Sequence, residues 1–402
     1  MTHLNFLSSE LEKKLRAAAK SDDRNILKAF YAPLKRAIEN KVLPRALSEF
    51  AVAAALLEQS FESDIEKIKE IAQTWPAVLE DGTLLGVGKY EQLDVRWAYS
   101  ALDWLEHKTL PSFPDNPPVI PVKDELSLAI MGDWGGGNWH NNTTASTIST
   151  HISNLNSDYI IHLGDTYYAG KYSEVHDHVL SYWPQAVEGS FSLNGNHEMY
   201  NAAIPYFNAV LQDKTFALQN GCSFFALENN HWVIIGLDTS FFSDRKNLYM
   251  DGNLNSRQID FLEEQAAKGK STMVFTHHNG LDVTGSVPQT TLWNQVTGAL
   301  GETLKYWYWG HVHMGAVYKE MSGIKTRVVG HGVLPYGHAS LLENAPCVDW
   351  FESCLANDPH QPKRVQNGFA FLRLQDDQLI EESLYGEDGK IHWQSASQAA
   401  SV

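Results

Sequence analysis

The chain has 402 residues, of which 43% are hydrophobic and 20% are charged, values typical of a folded globular protein with a large core. Its formal net charge of -17 at pH 7 argues against general nucleic-acid binding and against attachment to an anionic membrane, since both need a surplus of Lys and Arg. The sequence contains neither a membrane-spanning apolar run nor the features of a secretory leader, and its three cysteines suggest no disulfide framework, so a cytoplasmic location without membrane contact is expected.

Residues 1–109 are predicted to form a separate all-α domain. Ser9 and Glu12 have the spacing of a capping box, and the apolar residues after them recur at helical intervals. This domain carries no motif for a function, and it could mediate homo-oligomer formation, cover the rim of an active site or bind another protein. Residues 110–122 contain five prolines and are predicted to be an extended linker.

Residues 123–396 are predicted to form an α/β catalytic domain. Their short apolar runs end in Gly-Asp, Gly-Asn or His-rich turns, which fits buried strands joined by crossover helices. Residues 368–393 alternate like strands that are joined by a turn at Asp388 and Gly389. Residues 332–364 interrupt this pattern and are either a partial lid or an ordinary surface loop.

Seven polar residues stand at the ends of predicted strands, within or beside glycine-flanked turns. They are Asp133, Asp165, Tyr168, Asn196, His277, His311 and His313. Open α/β sheets place their sites just beyond the carboxyl ends of their strands. The set mixes hard oxygen donors with imidazoles, which is what two adjacent first-row metal ions held by a shared carboxylate require. The pattern therefore predicts a two-metal site.

The five motifs that contain these residues are GDWG, GDTYY, GNHE, VFTH and GHVH. In this order they resemble the motifs of the calcineurin-like metallophosphoesterase superfamily, over residues 127–314. Two details resemble its purple acid phosphatase branch: Trp134 follows Asp133 where general members have Asp-x-His, and Tyr168 stands three residues after Asp165. The resemblance implies that the catalytic domain is a four-layer αββα sandwich.

The resemblance also implies two unequal metal sites that share one carboxylate. Fe(III) would occupy the harder site, whose ligands would be Asp133, Asp165, Tyr168 and His313. Fe(II), Zn(II) or Mn(II) would occupy the softer site, whose ligands would be Asp165, Asn196, His277 and His311. His277 is preferred over His278 because it lies three residues after Val274, as in the family's motif.

The activity implied by the resemblance is hydrolysis of a small phosphate monoester by a metal-activated hydroxide. Asp165 would bridge the metals, and His197 would contact the substrate and protonate the leaving group. Four further residues are expected to support the ligands or to contact the substrate. They are His278, Asp238, Asn138 and His140.

Two other functions stay open on the sequence. The same metal pair could hydrolyse phosphodiesters or phosphotriesters, because the ester class depends on the walls of the pocket. Alternatively, the phosphoesterase domain could be an inactive relic in a partner-binding protein. Because all seven ligand positions hold competent residues, the sequence favours an enzyme.

Overall fold

A computed structural model of the chain describes residues 103–104, 107, 109–138, 143–245, 248–334, 336–359 and 362–395. The predicted helical domain lies almost entirely outside these residues, and so does His140. None of the helices within the described ranges is both long and apolar enough to cross a membrane.

The elements are numbered in chain order. The strands are β1 (Val119–Pro121), β2 (Glu125–Met131), β3 (Tyr159–His162), β4 (Gly189–Ser192), β5 (Phe225–Glu228), β6 (Trp232–Gly236), β7 (Ser271–Thr276), β8 (Leu304–Trp309), β9 (Gly315–Tyr318), β10 (Lys325–Val329), β11 (Val348–Phe351), β12 (Gly368–Gln375), β13 (Gln378–Gly386) and β14 (Ile391–Gln394). The α-helices are α1 (Thr144–Asn154), α2 (Tyr172–Glu174), α3 (Asn196–Tyr200), α4 (Ser256–Ala266) and α5 (Thr290–Leu300). Short 3-10 or π segments are Val175–Val179, Leu180–Tyr182, Tyr206–Val210, Lys214–Gln219, Gly301–Thr303 and Ser340–Leu342.

The strands form two mixed sheets. The larger has the order β1-β5-β6-β7-β8-β10-β9-β11, and β6, β7 and β8 are parallel neighbours in it. The smaller has the order β14-β13-β12-β2-β3-β4, and β2, β3 and β4 are parallel neighbours in it. The α/β class predicted for residues 123–396 is confirmed by these sheets.

The two faces of β2 show how the sheets are buried. Leu128 and Ile130 belong to a core cluster that includes residues of both sheets. Ala129 and Met131 point the other way and pack with Ile148 of α1, as the two-residue period of a strand requires. On the larger sheet, the outer face packs against apolar residues of α4 and α5. Each sheet therefore has one face toward the shared core and one covered by helix.

Residues 332–364 are partly built into the larger sheet. Their strand β11 pairs with β9 and forms one edge of that sheet. Arg364 is buried, and its guanidinium donates to both carboxylate oxygens of Glu387 at 2.6 and 2.7 Å. A lid role for the remainder of this segment stays a prediction. The tail agrees with its predicted strands, since β13 and β14 flank a turn that contains Asp388 and Gly389.

Candidate metal centre

The predicted ligands follow directly after parallel strands of both sheets. Asp133 follows β2, Asp165 follows β3, and His277 follows β7. Asp133 and Asp165 have positive φ angles of 56° and 75°, and His311 after β8 has 63°. A positive φ is uncommon for residues with a side chain and is held in place by the surrounding structure. These turns bring the ends of two separate sheets to one buried place.

Three ligand atoms converge at the softer of the two predicted sites. Asn196 Oδ1 lies 2.8 Å from His277 Nε2 and 2.9 Å from His311 Nδ1. The two ring nitrogens lie 3.2 Å apart. All three side chains are completely buried, and this burial lowers the pKa of both His277 and His311 well below the usual range.

The tautomer of His277 shows why a cation fits between these atoms. His277 Nδ1 lies 2.9 Å from the carbonyl oxygen of Leu163, so this nitrogen carries the proton and donates it. In a neutral ring Nε2 then carries a lone pair and is an acceptor. This lone pair points at the amide oxygen of Asn196, which is also an acceptor. Asn196 Nδ2 is turned away and donates to Tyr200 Oη over 3.1 Å. A metal ion satisfies such facing lone pairs, so the donor set fits the implied metal.

A second group of atoms forms the harder site. Asp133, Asp165 and His313 offer ligand atoms that lie within 4.8 Å of one another. His313 Nε2 is 3.4 Å from Asp133 Oδ1. The hydroxyl of Tyr167 lies 2.7 Å from Asp133 Oδ1, 3.2 Å from Asp165 Oδ2 and 2.9 Å from His313 Nε2. This site therefore combines two carboxylates, one imidazole and one phenol.

Asp165 joins the two sites through its two carboxylate oxygens. Oδ1 lies 3.3 Å from His277 Nε2 in the softer site, whereas Oδ2 accepts from Tyr167 in the harder one. The backbone N–H of His197 also donates to Oδ1 over 3.1 Å. This is the position that a bridging carboxylate needs.

Glu198 holds the backbone around this bridge, although the sequence analysis did not single it out. Its Oε2 accepts from the N–H of Gly195 at 2.8 Å and from the N–H of Asp165 at 3.2 Å. Glu198 is buried, and a Cβ at Gly195 would overlap Asp165 Oδ1. The glycine of the GNHE motif is therefore required by the close approach of Asp165.

Two neighbouring tyrosines, Tyr167 and Tyr168, are candidates for the phenolate ligand of the harder site. The hydroxyl of Tyr167 contacts three groups of the harder site, whereas Tyr168 accepts from His197 Nδ1 through its backbone carbonyl oxygen, at 2.7 Å. Tyr168 is also buried and packs beside Tyr167. The assignment of Tyr168 from the family spacing stays a prediction, and the neighbouring tyrosine is the residue that the sequence analysis missed.

We expect Tyr167→Phe to abolish the phenolate-to-iron absorption of protein reconstituted with Fe(III), and Tyr168→Phe to retain it. The reason is that only the former removes the hydroxyl that lies on Asp133 and His313. Hydrolytic activity should fall at least about ten- to a hundredfold in Tyr167→Phe, because that is the loss found when a group supporting a ligand is removed, and here the ligand itself is removed. A visible spectrum of each variant shows which tyrosine binds the iron. If the absorption is lost in Tyr168→Phe and retained in Tyr167→Phe, the phenolate belongs to Tyr168.

His278 is close to the softer site but has other partners. Its Nε2 donates to the carbonyl oxygen of Tyr249 over 2.7 Å, and its Nδ1 lies 2.8 Å from the hydroxyl of Thr239. Both ring nitrogens are therefore used by the protein, which supports His277 as the ligand. The ring of His278 packs against His311 at 4.8 Å between centroids, and burial lowers its pKa to about 4.

Asp238 supports the motif that contains Asn196. It follows β6 and accepts from Asn194 Nδ2 at 3.1 and 3.2 Å. The N–H groups of Ser240 and Phe241 also donate to its Oδ1 at 3.0 Å. Burial raises the pKa of Asp238 to about 6. Its place beside the GNHE turn agrees with the supporting role expected for it.

Asn138 faces helix α1. Its Oδ1 accepts from the N–H and the hydroxyl of Ser146 at 3.1 and 3.2 Å. The side chain thus holds the start of α1, and a contact with substrate stays a prediction. The same prediction for His140 falls outside the described residues.

A cavity of about 240 Å³ opens beside the softer site. It is lined by Met250, Asp251, Gly252, Asn279, Gln289, Thr290, Thr291 and Leu292. Met250 lies between the cavity and Asn196, since its sulfur is 3.9 Å from Asn196 Nδ2. This cavity could not be predicted from the sequence, because its walls come from three segments that are separate along the chain.

Residues 126–315 match the family model described as calcineurin-like phosphoesterase. No curated protein has a sequence that matches this chain significantly.

Several solved structures are similar to this chain, though distantly. GAP50, the anchor in the inner membrane complex of Plasmodium, is 15% identical with a TM-score of 0.49, over 68% of this chain and 89% of that one. A purple acid phosphatase from yellow lupin (Lupinus luteus) seeds is 14% identical with a TM-score of 0.44, over 67% and 53%. A dimetal phosphatase from Danio rerio is 12% identical with a TM-score of 0.43, over 65% and 95%.

Proposed function

We propose that this chain, whose residues 126–315 match the calcineurin-like phosphoesterase model, is a two-metal hydrolase of phosphate monoesters, similar to purple acid phosphatases. The observation that carries this proposal is the carboxylate of Asp165, which reaches both donor groups through different oxygens. The packing of helices on the outer faces of two stacked sheets also supports the four-layer αββα arrangement of that superfamily.

The proposal assigns metals according to the chemistry of each donor group. The carboxylates of Asp133 and Asp165, with a tyrosine phenolate and His313, are hard donors that suit Fe(III). Asn196, His277 and His311 with the bridging carboxylate suit Fe(II), Zn(II) or Mn(II). When bound, such a pair activates a water molecule and neutralises charge on the phosphoryl oxygens.

His197 is proposed to hold the proton that the leaving group receives. Its Nδ1 donates to the carbonyl oxygen of Tyr168, so in the neutral ring Nε2 is the atom that can take up and release a proton. Nε2 lies 3.8 Å from Asp165 Oδ2, and the ring packs between Tyr167 and Tyr200. These contacts hold the imidazole beside the bridging carboxylate.

The cavity beside Asn196 is proposed to receive the alcohol part of the ester. Its walls supply neutral donors from Asn279, Gln289, Thr290 and Thr291. Neither Lys nor Arg occurs among the described residues of this lining. A lining of neutral donors and one carboxylate, that of Asp251, suits an uncharged alcohol group rather than a second phosphate.

We expect the purified protein to hydrolyse p-nitrophenyl phosphate faster than bis(p-nitrophenyl) phosphate, which has the same leaving group. Chelation should lower the rate at least about tenfold, equivalent to about 1.4 kcal/mol, and added Fe(II), Zn(II) or Mn(II) should restore it. Metal content and both rates are measured on the same preparation.

Three other outcomes of this assay would each point to a different function. Faster cleavage of the diester would replace the monoester proposal by a phosphodiesterase. Folded protein that binds two metals but cleaves neither ester would support the partner-binding alternative. Activity that persists in metal-free protein would overturn the two-metal hydrolase.

A further inference from the structure

A second group of metal-ligating side chains lies where the edges of the two sheets meet. Glu352 follows β11, the edge strand of the larger sheet, and Cys354 lies two residues further on. His392 lies on β14, the edge strand of the smaller sheet. The ligand atoms of these three side chains all lie within 4.8 Å of one another.

Hydrogen bonds within this group orient the side chains toward a common point. Glu352 Oε2 lies 2.5 Å from His392 Nδ1, and Glu352 Oε1 accepts from the N–H of Cys354 over 2.8 Å. The carbonyl oxygen of Cys354 in turn accepts from the N–H of Gln366 over 2.9 Å. Glu352 is buried, whereas Cys354 is exposed. The group is therefore held on one side and open to solvent on the other.

We propose that Glu352, Cys354 and His392 form a third metal site, separate from the phosphoesterase centre, for a borderline-soft divalent ion such as Zn(II). A carboxylate, a thiolate and an imidazole are all common zinc ligands, and a water molecule from the exposed side completes a tetrahedron. Cys354 must bind the metal as a thiolate, so metal binding releases the proton of Cys354 to solvent. This proposal does not rest on the proposed function.

The surroundings of His392 are those of a ligating histidine. Its Nδ1 lies 2.5 Å from Glu352 Oε2 and its Nε2 lies 3.1 Å from Asp388 Oδ1. Metal binding through Nδ1 would therefore leave the ring proton on Nε2, which donates to Asp388. A carboxylate behind the ligating imidazole is the usual arrangement at protein metal sites. Gly386 makes room for this ring, because a Cβ there would lie 2.5 Å from His392 Cε1.

A metal-free arrangement of the same residues predicts different behaviour. If His392 carried a second proton, it would form an ion pair with both Glu352 and Asp388, and Cys354 would be a bystander. The proposal instead makes Cys354 a ligand, so the decisive measurement is one that detects metal bound to sulfur.

The experiment is a Co(II) titration of the full chain under reducing conditions, followed by visible and near-ultraviolet absorption. The atoms that converge in the phosphoesterase centre are oxygens and nitrogens, so a thiolate-to-cobalt charge-transfer band reports the third site alone. We expect a band whose intensity at saturation corresponds to one thiolate-bound Co(II) per chain, and which disappears when Zn(II) displaces Co(II). Cys354→Ser should abolish the band.

Cys347→Ser is the matched control, because Cys347 is partly exposed and lies outside the group. This variant should retain the band. Asp388→Asn should weaken Co(II) binding about ten- to a hundredfold while leaving the band itself, as expected for a group that orients a ligand. Absence of the band in folded wild-type protein, or its persistence in Cys354→Ser, would overturn the proposal.

Discussion

Replacing Asp165 with Ala is expected to empty both halves of the phosphoesterase centre and to lower kcat/KM at least about a thousandfold. Each tenfold loss corresponds to about 1.4 kcal/mol, so this is a loss of about 4 kcal/mol in transition-state stabilisation. The physical reason is that one carboxylate reaches both donor groups, with Oδ1 near His277 and Oδ2 near Tyr167, so in the proposed centre it would serve both ions. Removing it takes a charged ligand from both ions at once.

Metal content per chain and kcat/KM on a monoester are the measurements for this variant. Asp377→Ala is the matched control, since Asp377 is exposed in the turn between β12 and β13. If Asp165→Ala does not fold, Asp165→Asn keeps the shape of the side chain and removes its charge. Two retained metals with near wild-type activity in either folded variant would contradict a bridging role for Asp165.

The convergence of the candidate ligands could be predicted from the sequence because each one belongs to a short motif after a strand. Asp133, Asp165 and His277 follow apolar runs that are strands in the structure. Parallel neighbours in a sheet present their carboxyl ends at the same edge, so local pattern and topology together bring such residues close. The order of the motifs was therefore sufficient to place most of the centre.

The choice between Tyr167 and Tyr168 could not be made in this way. Both residues lie in one turn, and spacing alone favours Tyr168. Which hydroxyl enters the site depends on side-chain directions set by packing, and both tyrosines pack with Leu334, which is distant in sequence. Contacts of this kind are not visible in a local motif.

The group at Glu352, Cys354 and His392 was invisible for a related reason. Cys354 follows β11 of the larger sheet, whereas His392 lies on β14 of the smaller one, and both are edge strands. In the sequence, Cys354 is one of three cysteines without a disulfide pattern, and it lies within residues 332–364. Its neighbours depend on how the edges of two sheets meet, which no spacing rule describes.

Replacing His197 with Gln is expected to lower kcat/KM for an alkyl phosphate by about 10²- to 10⁴-fold, the usual contribution of a general acid. The loss should be much smaller for p-nitrophenyl phosphate, because nitrophenolate is a good leaving group and departs without a proton. His197 is as buried as Asp165 and Asn196, and its Nε2 faces the bridging carboxylate. In the proposed reaction, an acid at this place would protonate the oxygen that leaves phosphorus.

The comparison of the kcat/KM losses for the two esters distinguishes a general-acid role of His197 from a purely structural one. The backbone N–H of His197 holds Asp165 Oδ1 and is unchanged in His197→Gln, so the metal content should stay at the wild-type value. His176→Gln is the matched control, because His176 is an exposed histidine that pairs with Asp177 on the surface. An equal loss for both esters would assign His197 to positioning of the metal ligands, since weaker metal binding slows every substrate regardless of its leaving group.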